Sequence, residues 1–350
     1  MDLSKLGAFL SNGQKHPEPS SQDRHFLRGF KLNTLLGYNA AVKKFLKFKA
    51  ETSTDHFILP ASEDDIVSFT FWAGRNAELQ TPQEISAKTV QKYIFGLQAW
   101  HDYHGQPYPF SSKRRVNIML RASARVDAQL QPKAKKEAIK LHHLLFLARS
   151  LQTGEPMDSA ILDLTLVAFW GMARLAELTY TTITGPITRE SSLLTSDVSI
   201  EHSKRSTHVQ LSLRNAKTCK PGEIQTIQLR ELGNLLCPVA AIKRRMHEAG
   251  KNETSLFGYF VGTRRHHLTR AMVVKRISKE WKQGDFQGLS GHSFRVGGAS
   301  LRFALGVPTD EICEIGRWTS NCYTLYIRPY TQTEKKEAID LLKELATMWK

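Results

Sequence analysis

Apolar residues recur at helical spacing through the first third of the chain. Leu35, Tyr38, Val42, Phe45 and Phe48 share one face of a helix opening near Thr34, while Lys43, Lys44, Lys47 and Lys49 crowd the other. Ser62 with Asp65 forms a capping pattern ahead of Ile66, Val67, Phe69 and Trp72. Helices over residues 86–103 and 112–126 follow, the first closed by Gly105 and the second carrying Lys113, Arg114, Arg115, Arg121 and Arg125. Four helices with basic faces predict a bundle over residues 31–129. Residues 1–30, rich in Ser, Pro, Gly, Gln and His, read as a flexible tail. Residues 130–136, with Pro132 and a lysine run, read as a linker into a second domain spanning 137–350.

That second domain opens with helical pattern over 137–151 and a strongly apolar helix over 158–180. Inside the apolar helix lies G-M-A-R-L-A-E-L. A buried arginine is costly unless it is paired or meets an anion, and Glu177, three residues after Arg174, is the pairing candidate. The period then changes to two over 192–201, 207–214 and 224–229, which predicts a small antiparallel sheet. The turn N-A-K-T-C-K-P-G before the last strand presents Lys217 and Lys220. Helices resume over 238–248, with Lys243, Arg244 and Arg245, and over 270–281, and the basic run Arg264, Arg265, His266 and His267 between them reads as sequence-independent phosphate contacts, with plain surface as the alternative for half of them. The final stretch sets Ile339, Leu342, Leu345 and Trp349 along one apolar stripe.

A length of 350 residues with 41% hydrophobic residues suits two domains, each with its own core. A net charge of +16 favours a polyanionic partner, a property shared by ribosomal, chromatin and membrane-surface proteins. The four cysteines show no C-x-x-C spacing, so reduced intracellular thiols are expected, with neither a disulfide framework nor a zinc site. No apolar run is long enough to span a bilayer, and no P-loop or dinucleotide fingerprint is present. The chemistry is expected to rest on side chains alone, without metal or cofactor.

The most informative stretch runs from 291 to 330. His292 and Arg295 share a helix face, and Trp318 and three tyrosines follow closely, which together offer an oxyanion site with a nucleophile beside it. This stretch resembles the C-terminal half of the tyrosine recombinase (integrase) active site, and G-M-A-R-L-A-E-L resembles the same superfamily's first-arginine motif. The resemblance implies a mainly α fold with a small antiparallel β-sheet, in which a helical core-binding domain precedes an α+β catalytic domain. It implies that Arg174 and Arg295 hold the scissile phosphate and that Glu177 supports them. Lys217, with Lys220 second, protonates the leaving 5′ oxygen; His292 assists proton transfer, and Trp318 directs its indole N–H toward the phosphate. Tyr326, in the context Y-I-R, is the expected nucleophile, with Tyr330 as fallback and Tyr323 too early.

Under this resemblance Lys43, Lys44, Lys47, Arg114, Arg115, Arg121, Lys243 and Arg244 become candidate contacts to double-stranded DNA. The implied activity is site-specific cutting and rejoining through a 3′-phosphotyrosyl intermediate without metal or ATP, by a homo-oligomer that is tetrameric at synapsis. The expected location is intracellular, and nuclear if the source is eukaryotic. V-G-G-A-S after Arg295 departs from the commoner His-Thr continuation, which predicts a looser helix interior and is similar to eukaryotic mobile-element, Crypton-like members. A type IB topoisomerase and a domesticated DNA-binding protein that no longer cuts are the alternatives. The C-terminal helix packs either on its own domain or on a neighbouring protomer.

Overall fold

The computed structural model describes residues 2–15, 17–131, 134–152, 154–203, 206–214, 216, 219–220 and 222–348. The chain divides into two compact units, Met1–Lys133 and Ala134–Lys350. The first unit is helical: α1 (Gly7–Leu10), α2 (Ser21–Arg28), α3 (Leu32–Thr52), α4 (Glu63–Ala73), α5 (Ala87–Tyr103) and α6 (Lys113–Gln129). The segment expected as a flexible tail is instead seated on the core through its described residues. Leu6 and Phe9 are fully buried and Leu10 and Leu27 nearly so. The Phe9 amide donates to Asn39 Oδ1 at 2.9 Å, and the Trp100 indole donates to the Ser11 carbonyl at 2.7 Å. The polar composition misleads because four large apolar side chains suffice to seat the segment on the core.

α3 begins at Leu32 rather than at Thr34, whereas the Ser62–Asp65 capping box forms as its spacing suggests, with reciprocal bonds of 2.9 and 3.1 Å. α3 packs on α5 where Gly96 lets the backbones approach; a Cβ there would lie 2.8 Å from that of Ala41.

The second unit is built on α8 (Pro156–Trp170), which follows α7 (Leu141–Leu151) and is buried along most of its length. The long helix expected over 158–180 breaks after Trp170. Met172 takes a left-handed φ of 43°, and a short α9 (Leu175–Leu178) restarts with Arg174 as its N-cap. The sequence hides this break because the apolar pattern continues through it. The strands β1 (Val198–His202), β2 (Thr207–Leu213) and β3 (Gln225–Arg230) form one antiparallel sheet in the order β1-β2-β3. Val209 pairs with Leu229 and Leu211 with Ile227, and all four are buried in the core they share with α8.

After α10 (Pro238–Ala249), the basic run Arg264–His267 forms a strand, β5, in a hairpin with β4 (Gly258–Val261). His267 is buried within it and its Nδ1 lies 2.8 Å from Ser255 Oγ. The unit closes with α11 (Arg270–Gln283), α12 (Ser293–Ala304), α13 (Thr309–Gly316) and α14 (Gln332–Met348). α14 packs against α7 of its own unit, burying Ala338 and Leu345; Trp349 lies outside the described residues.

V-G-G-A-S does not loosen α12. Gly297 lies against the carbonyl of Ile139 and Gly298 against that of Phe169, so closely that a side chain at either position would strike backbone. The two glycines press α12 onto the end of α8, where the break that carries Arg174 begins.

Candidate active site

Four short segments meet in the second unit. The turn after α8 supplies Met172, Arg174 and Glu177; the start of α12 supplies His292 and Arg295; the end of α13 supplies Gly316, Arg317 and Trp318; and a 3-10 turn, Asn321–Leu325, is capped by Tyr326. Glu177 is the anionic centre of the group, its side chain only 3% exposed. Its Oε2 accepts from the Arg174 amide at 2.9 Å, and its Oε1 accepts from the Arg174 guanidinium. The pairing considered from sequence therefore exists, but the arginine is 19% exposed and part of its guanidinium remains open to solvent.

Arg295 is fully buried. Its Nη1 donates to the Met172 carbonyl and its Nη2 to the Gly316 carbonyl, which ties the break after α8 to the end of α13. The fork expected to grip an anion thus gives one N–H of each terminal nitrogen to backbone, and Nε is left without a partner. The indole of Trp318 lies 4.4 Å over the guanidinium and the ring of Tyr326 5.3 Å from it. Burial, then the charges of Arg174 and Arg317, pull the Arg295 guanidinium down to about 10.

His292 is exposed at the mouth of the group, its ring 5.0 Å from that of Tyr326. Burial of the ring face, then Arg295, Arg174 and Arg328, hold its pKa below the usual imidazole value, so it is neutral at pH 7 and able to accept a proton. The ring of Trp318 lies 4.8 Å from that of Tyr326, tilted by 45°, and its buried indole N–H has no partner.

The three tyrosines differ in setting. Tyr326 is the one with ring contacts to both His292 and Trp318, and it lies at the end of a 3-10 turn rather than on a helix. Tyr323 packs in the small cluster around Trp318. Tyr330 lies toward α14, in a cleft with Lys140 and Glu334, its buried hydroxyl unpartnered and its pKa raised by burial.

Against models of known families and against curated proteins, the chain has no match. Solved structures do match. The site-specific recombinase XerH, bound to palindromic difH substrate in a post-cleavage complex, is similar over 98% of this chain and 89% of its own, with 15% identity and a TM-score of 0.53. The chain has the tyrosine recombinase fold. The integrase of the Tn1549 transposon, in complex with transposon right end DNA, aligns over 92% of this chain and 97% of its own with 14% identity and a TM-score of 0.49.

Within the recombinase fold, the residues expected from sequence fall into three groups. Arg174, Glu177, His292, Arg295, Trp318 and Tyr326 are brought together. Lys217 lies outside the described residues; Lys220 is exposed, its amide donating to Glu223 Oε2 at 2.9 Å. Of the eight surface cations, Lys43, Arg114 and Arg121 are exposed without a described acidic partner, Lys47 pairs with Glu51 at 3.6 Å and Arg115 with Asp64 at 3.5 Å. The other three are engaged within the fold. Lys44 donates to the Gln83 carbonyl and lies 5.1 Å over Trp72, Lys243 pairs with Glu231 at 3.0 Å, and Arg244 donates through Nε to Asp163 at 3.0 Å.

Arg317 is the residue sequence reasoning missed. It takes the left-handed conformation (φ 56°, ψ 48°) at the end of α13, and its Nη2 donates to Glu177 Oε2 at 2.7 Å. The available signal was a cation directly before Trp318, in a stretch otherwise assigned to the site.

Proposed function

We propose that this chain cuts and rejoins DNA through a 3′-phosphotyrosyl intermediate, as a site-specific recombinase or transposon integrase. The observation that carries the reading is the convergence of Arg174, His292, Arg295, Trp318 and Tyr326, from four separate segments, in one cationic cluster. A phosphodiester passing through a pentacoordinate state gathers charge on its non-bridging oxygens, and guanidinium groups in a dry site neutralise that charge without a metal. The Tyr326 hydroxyl attacks phosphorus and loses its proton to neutral His292, while the bond from phosphorus to the 5′ oxygen breaks. The 5′ oxygen takes a proton from Lys217, the role that the resemblance to tyrosine recombinases implies for it. The ester keeps the bond energy, so attack by another 5′ hydroxyl reseals the strand.

Double-stranded DNA is the partner in this reading. The helical first unit acts as a core-binding domain presenting Lys43, Arg114 and Arg121 to phosphates, and a homo-oligomer performs exchange, with a tetramer at synapsis. The resemblance of V-G-G-A-S to mobile-element members favours a nuclear setting.

The test is covalent trapping. Purified protein is mixed with a random-sequence duplex library carrying nicks, in excess EDTA, and protein-linked DNA is isolated under denaturing conditions and sequenced. Wild type and Tyr330→Phe are expected to form the adduct, and Tyr326→Phe to bind DNA without forming it. An adduct with Tyr326→Phe, or a strict need for magnesium, defeats the mechanism.

A further inference from the structure

Arg317 is only partly satisfied where it sits. Its side chain is 7% exposed, and of its guanidinium nitrogens only Nη2 is satisfied, by Glu177; Nε and Nη1 are buried without partners. Buried donors without acceptors are costly, and a buried guanidinium is costlier still. Nor does Glu177 depend on it. Both carboxylate oxygens already accept from Arg174, one from the backbone amide and one from the guanidinium. Arg174 and Arg317 therefore share one carboxylate, with Arg295 in electrostatic reach of it; burial and then neighbouring guanidiniums lower the Arg295 pKa, and for Arg317 burial outweighs the opposing pull of Glu177. The unpartnered Arg295 Nε and Trp318 Nε1 lie in the same group. Such an arrangement is stable as a place awaiting an anion.

Arg295 does not offer its whole fork, because each terminal nitrogen gives one of its two N–H groups to a carbonyl, that of Met172 or that of Gly316. We propose that Arg317 is an anion-binding residue of this site, donating from its unpartnered N–H groups to a non-bridging oxygen of the bound phosphodiester alongside Arg174. The proposal rests on the phosphoryl-transfer reading above and adds to it a third cation. Its position beside Glu177 gives it a second property: the carboxylate holds it in place before the phosphate arrives, so little reorganisation is needed on binding.

The probe is inorganic phosphate, read by thermal unfolding of the full chain at constant ionic strength. Wild type is expected to gain stability with phosphate. Arg317→Gln is expected to unfold at the wild-type temperature or higher when phosphate is absent, since it relieves like-charge crowding. It should bind phosphate about tenfold or more weakly, the usual loss for a charge-assisted hydrogen bond. Lys251→Gln, at an exposed lysine after α10, should bind as wild type does. Phosphate affinity unchanged in Arg317→Gln overturns the proposal. So does an Arg317→Gln chain that fails to fold or unfolds several degrees lower without phosphate, which makes Arg317 a structural partner of Glu177. If wild type still forms the DNA adduct in either case, only this inference falls. A wild-type chain that neither responds to phosphate nor forms an adduct removes the underlying reading as well.

Discussion

Replacing Gly298 by alanine tests the packing that sets the site. A Cβ built at Gly298 would stand 2.2 Å from the Phe169 carbonyl oxygen and 3.0 Å from Met172 Cγ. The oxygen belongs to backbone and has no rotamer to escape into, so α12 must retreat by about 1 Å to reach an ordinary contact. Overpacking of this kind costs about 1–3 kcal/mol. At roughly 2–4 °C per kcal/mol for a unit of this size, the unfolding temperature should fall by about 2–12 °C. Catalysis should suffer more, since His292 and Arg295 ride on α12 and a 1 Å displacement near reacting atoms can cost on the order of a hundredfold in rate. Calorimetric unfolding and adduct formation measure the two effects. Gly37→Ala is the matched control: Gly37 is also inside a helix, but nothing lies within 4 Å of its Cβ direction, so helix propensity alone should stabilise α3 by up to ~1 kcal/mol. If Gly298→Ala behaves like Gly37→Ala, the close approach of α12 to α8 is not what fixes the site.

Asp163, 1% exposed, takes Arg245 Nε at 2.7 Å and Arg244 Nε at 3.0 Å; Asp163→Asn leaves a buried guanidinium uncompensated and should cost about 3–5 kcal/mol in urea unfolding, and an unchanged midpoint would refute this. Burial, then His142 and Lys140, push His143 down to about 3, so the unfolded imidazole binds a proton near pH 6.5 while the folded one does not. Stability should thus be retained above that pH and lost as pH falls, by about 1.4 kcal/mol per pH unit between pH 6 and 4. His143→Gln should flatten that slope in pH-dependent denaturation, and an identical slope would assign it elsewhere. Leu345 is 2% exposed against its own unit, so Leu345→Ala should lower the unfolding temperature equally at all protein concentrations; a concentration-dependent effect would place α14 on a partner.

Much of this molecule is legible in its sequence because periodicity reports burial. The bundle helices, the three-stranded sheet and the H-x-x-R stretch all announce themselves through spacing. What stays hidden depends on backbone conformation or on who meets whom across long stretches of chain. Nothing in F-W-G-M-A-R signals that Met172 turns left-handed, so Arg174 reads as mid-helix when it caps a new one. R-R-H-H reads as phosphate contacts although it forms a strand in which Arg265 donates to the Ser255 carbonyl and His267 meets the Ser255 hydroxyl, partners that sequence cannot assign to them. The N-terminal segment is judged by its average polarity, whereas its fate is decided by Leu6, Phe9, Leu10 and Leu27. V-G-G reads as slack for the same reason: a glycine's role is set by the neighbour pressed against it.

The bonds of Arg295 also impose an order of events in time. One reaches back 123 residues to Met172 and the other forward 21 residues to Gly316, and Tyr326 comes later still. Contacts so distant in sequence close slowly and late. During synthesis the segment bearing Arg174 leaves the ribosome long before its partners, and for that interval the nascent chain holds a cation with nothing to attack. Under the proposed function, a chain that stops before Tyr326 lacks its nucleophile, so incomplete copies leave intact any strand they touch.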